Sequence, residues 1–508
     1  MTLKLRQWSP VVLSLIVLFG LLFRLDSVPP LWWDEGWTLS IARNWLEHGH
    51  YGRLLAGEFV PAGLQAAPVV TATVSLSFHL FGVGVIQARM VGVLFTLAVL
   101  ALMYTLSRRL YNRSIAWGTL LVLIFMPGYI ELLPIYVGRQ VLGEIPALFF
   151  LLAGYASMLS VVCRPRLAVS LATLCWAIAL STKLQVVPFW VCSILIPLTM
   201  LMLRLDWKLS IVWAVPFIGA LAGSRLVPRL WEFLLQSKTD IAAPISGLYE
   251  VTAVVGSIPS RLFALIVTVL FGIPTLLGLC YGLWLTLKDR DDLGEQVGMV
   301  RFSLLILSAS WFAWFVLFSV GWIRYIFPAT FIGSIFVSAM IYNLTNRFDV
   351  TFSVRRSLSV LQDLRLNTHN AAPLLVVILI AATVPRTAMA VYKTYIVNAD
   401  TSVQEAAGFL NTRTKGDSLI ETYDSELFFL LDRDYHYPPD RVHVNLIRRT
   451  FLYEEETRID YDPLAADPEY LVIGPHSKQW RLYDQTVNTG AFRLVRSYSR
   501  YKIYERVR

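Results

Sequence analysis

Charge is scarce in this chain. Only 16% of its 508 residues are Asp, Glu, Lys or Arg, against about 25% in ordinary soluble domains. With 56% hydrophobic residues and a mean hydropathy of +0.58, that shortfall excludes a soluble globular protein. Cysteine is scarce too. Cys163, Cys175, Cys192 and Cys280 lie in or beside apolar runs and form neither a disulfide framework nor a zinc spacing. They are expected in the core or against lipid. Internal repeats and low-complexity tracts are absent. The net charge of +9 does not signal nucleic acid: residues 400–508 hold 15 Lys and Arg against 18 Asp and Glu, so the excess belongs to the rest of the chain. There it is loop charge of the kind that marks cytoplasmic faces.

What the chain has is long apolar runs. Residues 8–23, 86–106, 114–130, 143–162, 167–182, 186–203, 209–223, 262–286, 302–320, 324–343 and 373–391 read as about eleven membrane spans. Lys4 and Arg6 place the N-terminus in the cytoplasm, and no small-residue cleavage pattern follows the first run. The spans then alternate so that Arg108 and Arg109, Arg164 and Arg166, Arg204 and Lys208, Lys288, Arg290 and Arg301, and Arg347, Arg355, Arg356 and Arg365 all face the cytoplasm. Gly128–Leu142, Gly223–Pro259 and Gly321–Arg324 become outer loops. A chain of this kind suits a plasma membrane, the bacterial inner membrane included.

The first outer loop, residues 26–85, opens with Trp32-Trp33-Asp34-Glu35-Gly36-Trp37. Two carboxylates near lipid are costly, and ionisable groups at such depth are functional candidates. Gly36–Glu47 is predicted as a short helix with Trp37, Ile41, Trp45 and Leu46 on one face. That face is read as an anchor in the membrane surface. A loop is expected over 53–67. Pro68–Phe81, too short to cross, is predicted as a second interfacial or re-entrant helix.

Beyond Tyr392 the composition changes. Ser418–Glu421, Val442–Leu446, Tyr470–Ile473 and Phe492–Ser497 read as strands, Gln404–Leu410 as a helix, and Tyr435–Pro439 as a loop. The expected fold class is therefore mainly α: a polytopic transmembrane bundle over 1–391, with a small extracytoplasmic α/β domain over 392–508.

The topology collects Asp34, Glu35, Arg89, Arg139, Glu144, Lys183, Arg324 and Tyr325 at one membrane depth. Cations would hold an anion carried on a lipid, and a carboxylate would act on a hydroxyl. Sugar transfer from a lipid phosphate fits: phosphate leaves without a strong general acid, unlike the alkoxide of glycosidases. The acceptor hydroxyl needs one base, and Asp34 is the choice. The departing phosphate needs fixed positive charge, from Arg324 and Lys183. A transporter or flippase of an anionic lipid-linked sugar shares the cations and dispenses with the base.

These residues resemble the C-type membrane glycosyltransferases, the superfamily of protein O-mannosyltransferases and the aminoarabinose lipid A transferase. Trp33-Asp34-Glu35-Gly36 with Ala42-Arg43-Asn44-Trp45-Leu46 resembles the family's first outer loop. Phe81-Gly82-Val83 with Ala88-Arg89, Gly138-Arg139-Gln140 with Glu144-Ile145-Pro146-Ala147, Ser181-Thr182-Lys183 and Arg324-Tyr325-Ile326-Phe327-Pro328 follow in the family's order. The resemblance spans the whole chain. It implies a GT-C fold and an inverting enzyme with a polyprenyl-phosphate-linked sugar donor and a lipid, polysaccharide or protein acceptor. It further implies Asp34 as the catalytic carboxylate and Glu144 as the second acidic motif. With the topology, the candidate catalytic residues are Asp34, Glu35 and Glu144, and the candidate substrate-binding residues are Arg89, Arg139, Lys183, Arg324 and Tyr325. The family often has Lys-Pro or His-Pro where this chain has Ala67-Pro68, and Gly where it has Leu184. Some relatives hold a divalent metal through a Glu before that Lys-Pro. Ala66 stands there, so no cofactor is assigned.

Overall fold

The computed structural model describes residues 2–63, 67–235, 252–288, 294–349, 356 and 368–507. In chain order the first helix is α1 (Thr2–Leu22), followed by α2 (Trp33–His48), the hairpin β1 (Gly52–Leu55) and β2 (Glu58–Pro61), and α3 (Pro68–Phe81). Then come α4 (Val85–Leu110), α5 (Arg113–Phe125), α6 (Pro134–Val137), α7 (Glu144–Met158), α8 (Pro165–Thr182), α9 (Val186–Leu203) and α10 (Trp207–Leu235). The bundle closes with α11 (Ile258–Lys288), α12 (Gln296–Leu317), α13 (Phe327–Leu344) and α14 (Thr368–Tyr392).

Every expected span folds as a helix. Among the described residues, eight helical stretches are long and apolar enough to cross a bilayer, while Val11–Leu22, Arg113–Phe125 and Glu144–Met158 are shorter apolar helices. The protein is a multi-pass membrane protein. α11 carries one π turn, Thr268–Gly272, just ahead of Pro274, whose missing N–H breaks the regular ladder. α10 continues to Leu235, beyond the loop expected from Gly223. Arg290, Arg355 and Arg365, the loop cations expected inside, lie outside the described residues.

After α14 the chain builds a five-stranded sheet in the order β4-β3-β5-β7-β6, here β3 (Ile420–Thr422), β4 (Tyr435–His436), β5 (Tyr470–Ile473), β6 (Phe492–Ser497) and β7 (Lys502–Arg506). β3 pairs in parallel with β4 and β5, and β7 runs antiparallel to β5 and β6. The α-helices of this unit are α15 (Ser402–Arg413), α16 (Asp440–Phe451) and the short α17 (Pro475–Trp480) and α18 (Asp484–Asn488).

Four expectations need correction. The loop expected over Tyr435–Pro439 opens with strand β4, whose Tyr435 and His436 pair in parallel with Ile420 and Glu421 of β3. Val442–Leu446 is not a strand but part of α16. Its apolar and polar residues alternate, yet Val442, Leu446 and Ile447 form a helical stripe that is almost wholly buried, and Pro439 precedes the first turn. The loop over 53–67 contains the β1–β2 hairpin, turned by Ala56 and Gly57, both at positive φ. Trp37 is not a membrane anchor. It is 4% exposed, wedged edge-on against Phe428 and Tyr437 under the Arg53 guanidinium. Trp45 meets Tyr51 and Trp231 instead of lipid. The face of α2 read as lipid-facing is covered by protein.

α3 occupies the predicted residues, Pro68–Phe81. Val70, Val74 and Phe78 pack into one cluster with α2 and the sheet unit, and Leu76, Leu80 and Phe81 stay exposed. One core therefore joins the first loop to the C-terminal unit.

Candidate active site

α2 is the element that places the first carboxylates. Asp34 and Glu35 lie in its first turn, where free N–H groups favour negative charge, and Gly49 closes it in the left-handed conformation at φ 71°. Gly36 is fixed by contact: a Cβ there would lie 2.3 Å from the Ser425 carbonyl oxygen. The backbone of the sheet unit runs directly against the helix. Trp33 donates its indole N–H to the Tyr423 carbonyl at 2.9 Å, and Ser425 donates its hydroxyl to the Trp33 carbonyl at 2.6 Å.

Four charged residues meet at four helix ends. Asp34 Oδ2 accepts from Arg324 Nη1 at 2.8 Å. Arg324 sits in the 3₁₀ turn Ile323–Ile326 that leads into α13. Glu144 opens α7, Lys183 follows the last residue of α8, and the two are paired. Tyr325 lies beside Arg324, with its ring centre 5.8 Å from the guanidinium carbon. Arg324 and Glu144 border a small, partly open cavity with Trp32, Glu131, Tyr136 and Gln140. Burial alone would raise the Asp34 carboxyl, but Arg324, helped by Lys183 and His443, outweighs it and holds the group below the usual carboxylate range.

Glu35, Arg89 and Arg139 do not join this group. Arg89 grips Glu35 through two bonds of 2.9 and 2.8 Å, and both side chains are fully buried. Glu35 also accepts from the Trp32 and Val141 backbone N–H groups, each at 3.3 Å, while Arg89 donates to the Leu25 carbonyl at 3.0 Å. The pair ties α2, α4 and the loop before α7 together. Arg139 donates to the Gly20 and Phe23 carbonyls at 3.1 and 2.6 Å, under the Tyr395 ring. Each of these cations is spent on backbone or on a buried acid.

Sequence reasoning missed what the sheet unit brings. His443, on α16, stacks on Trp33 with ring centres 4.7 Å apart and shares a short hydrogen bond with the Tyr423 hydroxyl. Burial pushes its pKa down to about 4, against the pull of Asp34. His476 meets Trp32 edge-on at 5.2 Å. Glu131, from the loop between α5 and α6, also reaches the cavity. Nothing local marks these three. Among the described residues no three His, Cys, Asp or Glu side chains converge as metal ligands, and Ala66 lies outside the described residues.

No protein-family model and no curated protein matches the sequence. Solved structures do. ArnT from Cupriavidus metallidurans bound to undecaprenyl phosphate superposes with a TM-score of 0.65 at 16% identity, over 98% of both chains. The same protein in the apo state gives 0.62 at 17% identity, covering 98% of this chain and 97% of that one. The oligosaccharyltransferase AglB from Archaeoglobus fulgidus, in complex with an inhibitory peptide and a dolichol-phosphate, gives 0.54 at 12% identity over 96% of this chain and 71% of that one.

This chain has the GT-C fold of these neighbours. At such identities the likeness is one of fold. In this chain the bundle end that carries Asp34 and Arg324 also abuts the C-terminal sheet unit.

Proposed function

We propose that this protein is a lipid-phosphate-dependent glycosyltransferase that moves a sugar from a polyprenyl phosphate to an acceptor hydroxyl. The observation that carries this reading is the Asp34–Arg324 pair beside the Lys183–Glu144 pair, at the mouth of one cavity. A base and two cations within one cluster are what the reaction requires. The undecaprenyl phosphate and dolichol-phosphate in the two neighbours add support. A second pocket, lined by Leu132, Phe271, Phe331 and Val337 among others, presents largely apolar walls of the kind an isoprenoid chain would meet.

In the step itself, Asp34 accepts the proton of the acceptor hydroxyl as that oxygen bonds to the anomeric carbon. The bond from that carbon to the phosphate oxygen breaks, and its electron pair stays on phosphate. Attack opposite the leaving group inverts the centre. Arg324 and Lys183 neutralise the growing charge, and fixed cations need no reorganisation to do so. The sugar occupies the cavity, where Glu131, Glu144 and Gln140 accept from its hydroxyls. Tyr325 shapes the Arg324 side. Glu35, Arg89 and Arg139 act as positioning residues. The membrane module covers 1–391 and the extracytoplasmic unit 392–508, with a cytoplasmic N-terminus and the reaction on the outer face of the plasma membrane.

The test is Asp34→Asn in nanodiscs with a polyprenyl-phosphate sugar. Transfer is expected to collapse while polyprenyl-phosphate binding persists. Product at the wild-type rate removes Asp34 as base, and movement of labelled lipid across vesicles without covalent change selects the flippase.

A further inference from the structure

Arg324 divides the site. On one side is the cavity between the helices; on the other is a seam between the start of α2 and the sheet unit. Trp32, Asp34, Trp322, Arg324, His443 and His476 border this seam, and each retains partial exposure. Trp32 is shared: it lines the cavity, lies 5.6 Å from the Arg324 guanidinium carbon and meets His476 on the seam side. We propose that the seam is the acceptor subsite and that it takes a carbohydrate ring, with His443 as its hydrogen-bonding group. This rests on Asp34 being the base.

The chemistry of the walls supports the class. Indole faces are flat and apolar, and they match the C–H face of a pyranose or furanose. The two imidazoles are held mainly neutral, so each offers one donor and one acceptor. His443 is oriented rather than free: stacking on Trp33 fixes its plane, and the Tyr423 hydroxyl occupies Nδ1. Nε2 is left to meet a hydroxyl. A vicinal diol next to Asp34 would then have one oxygen at the base and its neighbour at the imidazole. Asp34 and Asp440 face His443 with negative charge, which disfavours an anionic acceptor group beside it, while Asp424 and Asp34 at His476 are offset by Arg500 and Arg324. A peptide acceptor recognised as an added strand would need a free sheet edge here. The β4 edge already receives the Ala56 N–H on the Tyr435 carbonyl at 2.8 Å.

The experiment is saturation-transfer NMR on the full-length protein in nanodiscs. The probes are methyl α-glycosides of hexoses and pentoses, a Ser/Thr peptide and a short-chain phospholipid. Ring protons of at least one glycoside are expected to receive saturation. His443→Phe keeps the stacking partner of Trp33 and should weaken glycoside binding roughly tenfold, the scale of one lost hydrogen bond. His443→Gln restores an amide donor and acceptor and should recover most of it. Binding of undecaprenyl phosphate, read by phosphorus NMR, should be unchanged in both. Silent glycosides, glycoside signals indifferent to His443→Phe, or saturation of the peptide or phospholipid that His443→Phe removes would each overturn the proposal. Loss of undecaprenyl phosphate binding by the wild-type protein would instead sink the donor reading.

Discussion

Asp34 and Arg324, drawn from opposite ends of the helical region, meet at 2.8 Å at one end of the bundle. Each side chain is about a quarter exposed, at 25% and 24%. The pair is therefore neither a surface ion pair nor a sealed one. It holds the acid ionised and leaves both groups within reach of substrates. On the proposed function, phosphate arriving at Arg324 would compete with Asp34 for the guanidinium and free the carboxylate for the acceptor. Asp34→Asn should lower turnover by about 10²–10⁴-fold, the range of a lost general base, with little change in the amount of folded protein. Single-turnover transfer in nanodiscs measures it.

The same pair fixes the pH response. The folded Asp34 carboxyl is depressed because Arg324 outweighs burial. Its contribution to stability is therefore complete above the unfolded carboxylate value of about 3.9 and is lost as pH falls through the lower folded value. Between pH 5 and 8 no acid limb in kcat/KM should come from this group. Arg324→Gln leaves burial opposed chiefly by Lys183, so an acid limb should move up into the measurable range on top of the lower rate. A pH–rate profile of the residual activity shows the shift or its absence.

Lys183 and Glu144 form the second pair, so under the proposed function Glu144 would compete with phosphate for Lys183. Lys183→Met should weaken polyprenyl-phosphate binding roughly tenfold or more, as loss of a charge-assisted bond does. Glu144→Gln should release Lys183 and tighten the same binding several-fold, while slowing product release. Titration of undecaprenyl phosphate into each variant reports both directions; a common sign for the two changes would contradict the competition.

Much of this geometry was legible, and the illegible part has a physical cause. Arg324, Lys183 and Glu144 stand at the ends of apolar runs, and charge parity puts those ends on one side of the membrane. What parity does not reveal is the direction in which a side chain points. Glu35, Arg89 and Arg139 share that depth, but they face one another or backbone carbonyls, and only packing decides between a cavity and a carbonyl. Trp37 shows the same limit: an amphipathic helix declares an apolar face, not whether lipid or protein covers it. The Val442–Leu446 stretch fits a period of two as well as a period of 3.6, and burial of Val442, Leu446 and Ile447 settled it as helix. His443 and His476 carry no local signature, because their importance comes entirely from where the sheet unit docks.

Glu35 and Arg89 give the clearest stability prediction. Both are fully buried, so removing one leaves an uncompensated buried group. Arg89→Ala or Glu35→Ala should cost about 3–5 kcal/mol, lowering the melting temperature and the yield of folded protein. The double change to apolar residues of similar volume should recover much of that loss. Thermal unfolding in detergent distinguishes this from a direct role, which would abolish transfer without moving the midpoint.

Gly36 tests whether the sheet unit is part of the catalytic apparatus. A methyl at this position would lie 2.3 Å from the Ser425 carbonyl oxygen and 2.4 Å from the Glu426 nitrogen, both backbone atoms with no rotamer to yield. Gly36→Ala must therefore push Ser425–Leu427 away from α2, while alanine itself favours the helix. The helical bundle should keep its membrane level, and the unit beyond residue 392 should become quicker to cleave by protease. His443 and His476 move with that unit, so transfer should fall at least tenfold even though Asp34, Arg324, Lys183 and Glu144 all remain on the bundle. Polyprenyl-phosphate binding, which depends on those bundle residues, should persist. A variant that releases the unit yet transfers sugar at the wild-type rate would mean that the bundle alone completes the site.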